Sequence, residues 1–234
     1  ADNYLMVKDQ YALSYNHTKS TPNWVAWHLE AGDLGSSGRT SSFSSDNTLP
    51  SGWYHVTSSD YTNTGFDRGH NCPSGDRTDN TTDNAATFLL SNVMPQAPDN
   101  NQGPWEALET YCRSLVTNDN DELYIYSGPY GQGGAGSNGS ANTIASGKIT
   151  VPSYTWKVIV VLSNGSSDLS RISTSTRVIA VKMPNVQGIR SNNWGTYRVS
   201  VDALESLTGY NFLSSVSASI QSSLESGVDN GPTQ

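Results

Sequence analysis

The sequence predicts an α+β protein in a single domain over residues 1–234, with a mainly antiparallel sheet and flanking helices. Three observations lead there. Short segments rich in β-branched and aromatic residues recur from end to end. Apolar residues repeat at helical spacing in only two regions, one central and one near the end. Strand and helix signals do not alternate, as a parallel βαβ chain would require.

The elements follow in order. "NYLMVKDQYALSYN" (3–16) alternates around a tight turn at Lys8–Gln10 and reads as two strands. "NWVAWHLE" alternates strictly, with Val25, Trp27 and Leu29 on one face and Trp24, Ala26 and His28 on the other. His28 on such a strand reads as a packed or edge residue. Residues 31–65 lack a pattern and read as a long loop, which in a compact domain tends to be functional or mobile. "AATFLLSNVMPQ" (85–96) reads as a buried strand ending at a proline turn. "DNNQGPWEALETYCRSLV" (99–116) carries the strongest helix signal: Trp105, Leu108, Cys112 and Leu115 or Val116 form an apolar stripe. Asp99 and Gln102 have capping-box spacing. Pro104 fits only a first turn, so the helix starts late or is kinked there. "ELYIYSGPY", "GKITVP", "YTWKVIVVLS" and "TRVIAVKMP" are strand candidates. "SVDALESLTG" reads as a helix, with Asp202 and Glu205 at capping spacing and Gly209 as its stop. Val216, Ile220 and Leu224 mark one face of a last helix.

Composition narrows the function. The formal charge is −8, which argues against a protein that coats nucleic acid through a broad basic face. It does not exclude an enzyme with a small positive cleft. No apolar run is long enough for a membrane span. Few lysines and abundant Ser, Thr, Asn and Gly suit a secreted or periplasmic protein, and a start at Ala1 reads as a processed or trimmed chain. The two cysteines, Cys72 and Cys112, permit either one disulfide or two buried thiols. A bridge would close a loop of about 40 residues, worth on the order of 4 kcal/mol. "GQGGAG" (131–136) fits a dinucleotide-loop pattern, but no helix follows, so it reads as a flexible Gly/Ser loop.

One stretch stands apart. "FDRGHNCPSGDR" (66–77) sets His70 after a glycine and between Arg68 and Arg77. Hydrolysis of a phosphodiester needs a base able to take a proton from water, and a neutral histidine suits that task. It also needs positive charge at the phosphate, from arginine or a hard cation that takes oxygen ligands. Asn100 and Asn101 open the central helix, and Glu109 and Arg113 follow at i, i+4. In ideal geometry Glu109 trails Asn101 by about 80° and Arg113 by about 120°, a broad shared face. Taken singly, each residue has a plainer reading: a loop histidine, a helix cap, a surface ion pair.

The combination is more specific. "DRGH" (67–70), "NVMPQ" (92–96) and "NNQGPWEALE" (100–109) with Arg113 resemble the DNA/RNA non-specific endonuclease family, the ββα-metal or His-Me finger nucleases related to endonuclease G. The pattern is most like the secreted cyanobacterial branch, and the resemblance extends to "NWVAWHL" and "LESLTGYNFL". It implies a ββα-metal finger and cleavage of single- and double-stranded DNA and RNA to 5′-phosphate and 3′-hydroxyl ends. His70 aligns with the general base, and Asn101 with the single protein ligand of a Mg²⁺ or Mn²⁺ ion. Glu109 aligns with an acid holding a metal-bound water. Arg113 and the loop residue Arg39 align with arginines at the phosphate, while Asp67, Arg68, Asn92 and Gln96 align with the supporting shell. Cys72 and Cys112 would fall on the two halves of the finger, which favours a bridge between them. The implied partners are DNA and RNA and no membrane; whether a protein inhibitor exists stays open. The reading requires the His70 ring and the Asn101 amide to meet at one cation, both within reach of solvent. Its rivals are a secreted binding module, a zinc phosphatase, and a nuclease fold that binds without cutting.

Overall fold

The computed structural model describes residues 2–40 and 42–234; Ala1 and Ser41 lie outside it. Its centre is one seven-stranded antiparallel sheet. The strands, in spatial order, are β1 (Tyr4–Val7), β2 (Ala12–Asn16), β3 (Thr21–Leu29), β6 (Asp121–Tyr130), β7 (Tyr154–Ser163), β8 (Arg177–Pro184) and β9 (Arg198–Val199). A separate antiparallel pair, β4 (Asp67–His70) and β5 (Val93–Gln96), brackets the short helix α1 (Thr81–Ala86) and leads to the long helix α2 (Glu106–Asp119). Helices α3 (Val201–Thr208) and α4 (Ala218–Ser226) close the chain.

Alternation along the strands divides the core. On one face Val25, Trp27, Leu29, Ile125, Ile159 and Val181 pack against Trp105, Leu108, Cys112, Leu115 and Val116, the stripe expected of the central helix. On the other, Trp156, Val158 and Ala180 pack against Val201 and Leu204 of α3. The sheet is therefore the floor on which α2 lies, and α2 carries the β4–β5 pair.

Several expectations need correction. Residues 85–96 are not one strand: α1 ends at Ala86, Leu90–Asn92 form a 3₁₀ turn, and only Val93–Gln96 are extended. A short apolar run is buried in either conformation, and periodicity cannot separate the two. "GKITVP" contributes only Ile149–Thr150, paired with Thr143–Ile144. Gly134–Gly136 pair with Gly139–Ala141 as a small hairpin rather than a loose loop. Asp99 makes no capping box; its carboxylate binds the Gly188 amide and Arg190. Helix α3 is capped by Ser200, whose hydroxyl accepts from the Ala203 amide, while Glu205 reaches on to the Phe212 amide. Gly209 does end that helix, at φ 77°. The long loop is patternless because it is folded over a small core of its own, where Val56, Tyr61 and Phe66 meet Leu90 and Val93.

The kink expected at Pro104 is present. A turn starts at Pro98, widens into a π-helical turn over Asn101–Trp105, and passes into α2 through Gly103 at φ −127°, ψ −116°. A Cβ on Gly103 would lie 2.6 Å from the backbone oxygen of Arg190, so only glycine fits this bend.

Candidate active site

Strand β4 presents "DRGH" in alternation. Asp67 and Gly69 stand opposite Gln96 and Met94, and Arg68 and His70 opposite Pro95 and Val93. Gly69 is required by crowding: a Cβ there would lie 2.2 Å from Gln96 Oε1. Gln96 is fully buried and donates through Nε2 to Asn100 Oδ1 at 3.1 Å. Asn92 holds the turn after β4, donating to the Cys72 carbonyl at 2.8 Å and accepting from the Cys72 amide at 3.0 Å. Arg68 donates to the Ser58 carbonyl and lies 5.7 Å from the ring centres of Tyr61 and Phe43. These supporting residues therefore position backbone and ring rather than reach into a cleft. Arg77, too, is tied inward, to Asp33 and to the carbonyls of Gln10 and His28.

His70 is 8 % exposed, much less open than the sequence reading required. Its ring lies between Phe43 at 5.1 Å and Phe88 at 4.9 Å, the latter edge-on at 89°. Among the described residues Nε2 is buried without a partner. Burial, and then the charges of Arg39 and Lys157, push the imidazole down to about 3 from its ordinary 6.5, so the ring is neutral near pH 7. Arg39 reaches this place from the loop: it donates to Ser74 Oγ at 3.1 Å and lies 5.2 Å from the centre of the same Phe88 ring.

Two contacts bring the helix entry to β4. Trp105 Nε1 donates to the His70 carbonyl at 3.3 Å, and Asn101 Nδ2 donates to Asp67 Oδ2 at 2.9 Å. Gln102 donates to the same carboxylate oxygen at 2.6 Å. Asp67 thereby fixes the orientation of the Asn101 amide. Among the described residues nothing donates to the Asn101 carbonyl oxygen, and the residue is only half-buried.

One turn into α2, Glu109 and Arg113 do not form the surface ion pair of the plainer reading. Glu109 Oε1 meets Lys157 Nζ at 3.4 Å, and Arg113 Nη1 binds Asp76 Oδ1 at 3.0 Å. Asp76 also accepts from Trp27 Nε1 at 3.0 Å. Both partners escaped the sequence reading. Lys157 sits in an apolar strand segment with no local sign that it points inward, and Asp76 was one more acid in a polar turn. Desolvation raises the Glu109 carboxyl to about 7, against the opposing pull of Lys157.

Of the two states left open for Cys72 and Cys112, the structure has the unbridged one: both are free, buried thiols. Each fills the core under α2, and burial raises both thiols well above their usual range, which suppresses the thiolate that oxidation needs.

Hard oxygen chemistry is what this cluster offers a metal. An oriented amide oxygen that accepts from no protein donor among the described residues, its amide nitrogen held by the Asp67 carboxylate, suits a divalent cation that keeps most of its waters. It does not suit tetrahedral zinc.

Comparison with known proteins identifies the family. The family profile described as DNA/RNA non-specific endonuclease matches residues 1–219. The chain is 56% identical to a nuclease of a Nostoc species, over 98% of this chain and 80% of that protein. It is 33% identical to the mitochondrial nuclease EXOG of Xenopus laevis over 86% of this chain, spanning 56% of that protein. The crystal structure of EndoG in complex with EndoGI is similar at a TM-score of 0.77 and 25% identity, covering 92% of this chain and 87% of that one. A mixed fold carrying a ββα finger, matched along nearly its whole length, places the chain in the DNA/RNA non-specific endonuclease family of nucleases.

Proposed function

We infer that this nuclease is a metal-dependent, sugar-non-specific endonuclease that hydrolyses single- and double-stranded DNA and RNA and leaves 5′-phosphate and 3′-hydroxyl ends. The observation that carries the reading is the Asp67–Asn101 hydrogen bond at 2.9 Å, which ties the strand bearing His70 to an amide whose carbonyl oxygen accepts from no donor among the described residues.

In this reading Asn101 would hold one Mg²⁺ or Mn²⁺ ion through its carbonyl oxygen, and Glu109 would hold a water of that ion. When bound, the ion supplies Lewis acidity at the phosphate. His70 accepts a proton from the attacking water, for which its ring must be neutral, as it is near pH 7. Phe43 and Phe88 fix the plane of that ring. Arg113 spends one donor on Asp76 and one on Thr110, and Arg39 one on Ser74, so both retain N–H groups for phosphate oxygens. Contacts to the backbone rather than to base edges carry no sequence information, in keeping with broad specificity.

Among the described residues no helix is long and apolar enough to cross a membrane. The composition favours export to the periplasm or medium. EndoG was crystallised with the inhibitor EndoGI, and by that likeness a protein inhibitor is a candidate partner here.

Supercoiled plasmid and RNA should both be degraded when divalent ions are free and spared when EDTA is present. Cutting in EDTA at the uninhibited rate would refute metal dependence. Asn101→Ala should raise the Mg²⁺ concentration for half-maximal rate by more than about tenfold, the scale reached even by groups that only support a ligand. An unchanged requirement would move the ion elsewhere.

A further inference from the structure

Lys157 is the residue of this cluster that the proposed reaction does not use. It lies at the centre of the sheet, where β7 pairs on one side with Ser127 of β6 and on the other with Val181 of β8. It is 1 % exposed. Its ammonium is 3.4 Å from the centre of the Trp105 ring and 5.7 Å from that of Trp27, and its ionic partner is Glu109 Oε1 at 3.4 Å. Such a charge in an otherwise apolar strand is costly unless paired, and a hydrophobic residue of similar length would pack at least as well. Ring and carboxylate together fix where the ammonium sits, and the ammonium in turn fixes the carboxylate.

The geometry points to Lys157 as a positioning residue, one that holds the Glu109 carboxylate in place toward the site from beneath. This rests on the role given to Glu109 in the reaction proposed above. Three charged groups face Glu109: Lys157 from the sheet, Asp76 from the turn at 74–76, and Arg113 from its own helix. Asp76 and Arg113 are bonded to each other at 3.0 Å and largely cancel. Lys157 is therefore the cation left to pair with the Glu109 carboxylate. Trp105 couples the same arrangement to β4, because its indole stacks under Lys157 while its N–H holds the His70 carbonyl.

A double-mutant cycle tests this. Lys157→Met should lower kcat by roughly 10–100-fold, as loss of a group supporting a reactive one does, with KM for plasmid little changed. Glu109→Gln should lower it as far or further, and the double variant should be no slower than Glu109→Gln alone. Losses that multiply, or a Lys157→Met enzyme with full kcat, would overturn the proposal. Should Lys157→Met fold poorly, the pair Glu109→Gln and Glu109→Gln/Lys157→Met decides alone: equal rates support it, a further loss rejects it. If Glu109→Gln is fully active, the role assigned to Glu109 fails and Lys157 with it. If Glu109→Gln is slow and Lys157→Met is not, only Lys157 fails. A second measurement needs no activity. In metal-free protein labelled with ¹³C at glutamate carboxyls, the Glu109 titration midpoint should rise in Lys157→Met; a midpoint that stays in place overturns the proposal.

Discussion

Replacing His70 by alanine is expected to slow cleavage roughly 10²–10⁴-fold while leaving binding of nucleic acid in place. In the proposed reading binding rests on Arg39, Arg113 and the helix entry, all of which the variant retains. The same substitution should leave a distinct mark on stability. The folded imidazole is pushed down to about 3 whereas the unfolded one titrates near 6.5, so between those values the unfolded chain binds the extra proton. Acidification through that window therefore erodes the stability of the native protein, and the loss due to this residue is absent above it. Lacking the imidazole, His70→Ala should lose less stability than wild type between pH 7 and pH 5, as read by urea unfolding at each pH. Some stability is lost at every pH, because the space between Phe43 and Phe88 is left empty. Wild-type cutting by the variant would refute the base assignment. Parallel stability curves would refute the environment described for the ring.

Gly69→Ala should be among the most damaging single-atom changes in the chain. The added carbon would stand 2.2 Å from Gln96 Oε1 and 2.6 Å from Gln96 Cβ. Gln96 cannot swing aside without giving up Asn100, which itself donates to Thr155 Oγ1 and the Pro184 carbonyl in the sheet. Overpacking of this kind costs about 1–3 kcal/mol. The displaced strand also carries His70, so activity should fall further than stability accounts for when assayed well below the unfolding midpoint. A variant with an unshifted urea midpoint would show that β4 and β5 yield more readily than their packing implies.

Much of this was legible beforehand, and the reasons are local. Val25, Trp27 and Leu29 declare a one-sided strand, and Leu108, Cys112 and Leu115 a one-sided helix, because the period of each is written into neighbours along the chain. The motif residues could be located because their spacing is fixed by two short strands and a helix entry. What stayed hidden depends on what lies across space. Glu109 and Arg113 are natural partners along a helix, yet a lysine from the sheet and an aspartate from a turn outcompete each for the other. The two cysteines sit on the expected halves of the finger but serve as small apolar fillers. The ideal helical angles from Asn101 to Glu109 and Arg113 do not apply, because a π-helical turn and Gly103 intervene between them.

The unbridged cysteines make the native protein silent to thiol chemistry and its opened forms audible. Cys72 follows β4 and Cys112 lies in α2, at 0% and 1% exposure. A thiol reagent can therefore reach either only when the finger parts from the sheet. The rate of modification is a clock on that separation, and because each half of the finger carries its own sulfur, it tells which half lets go first.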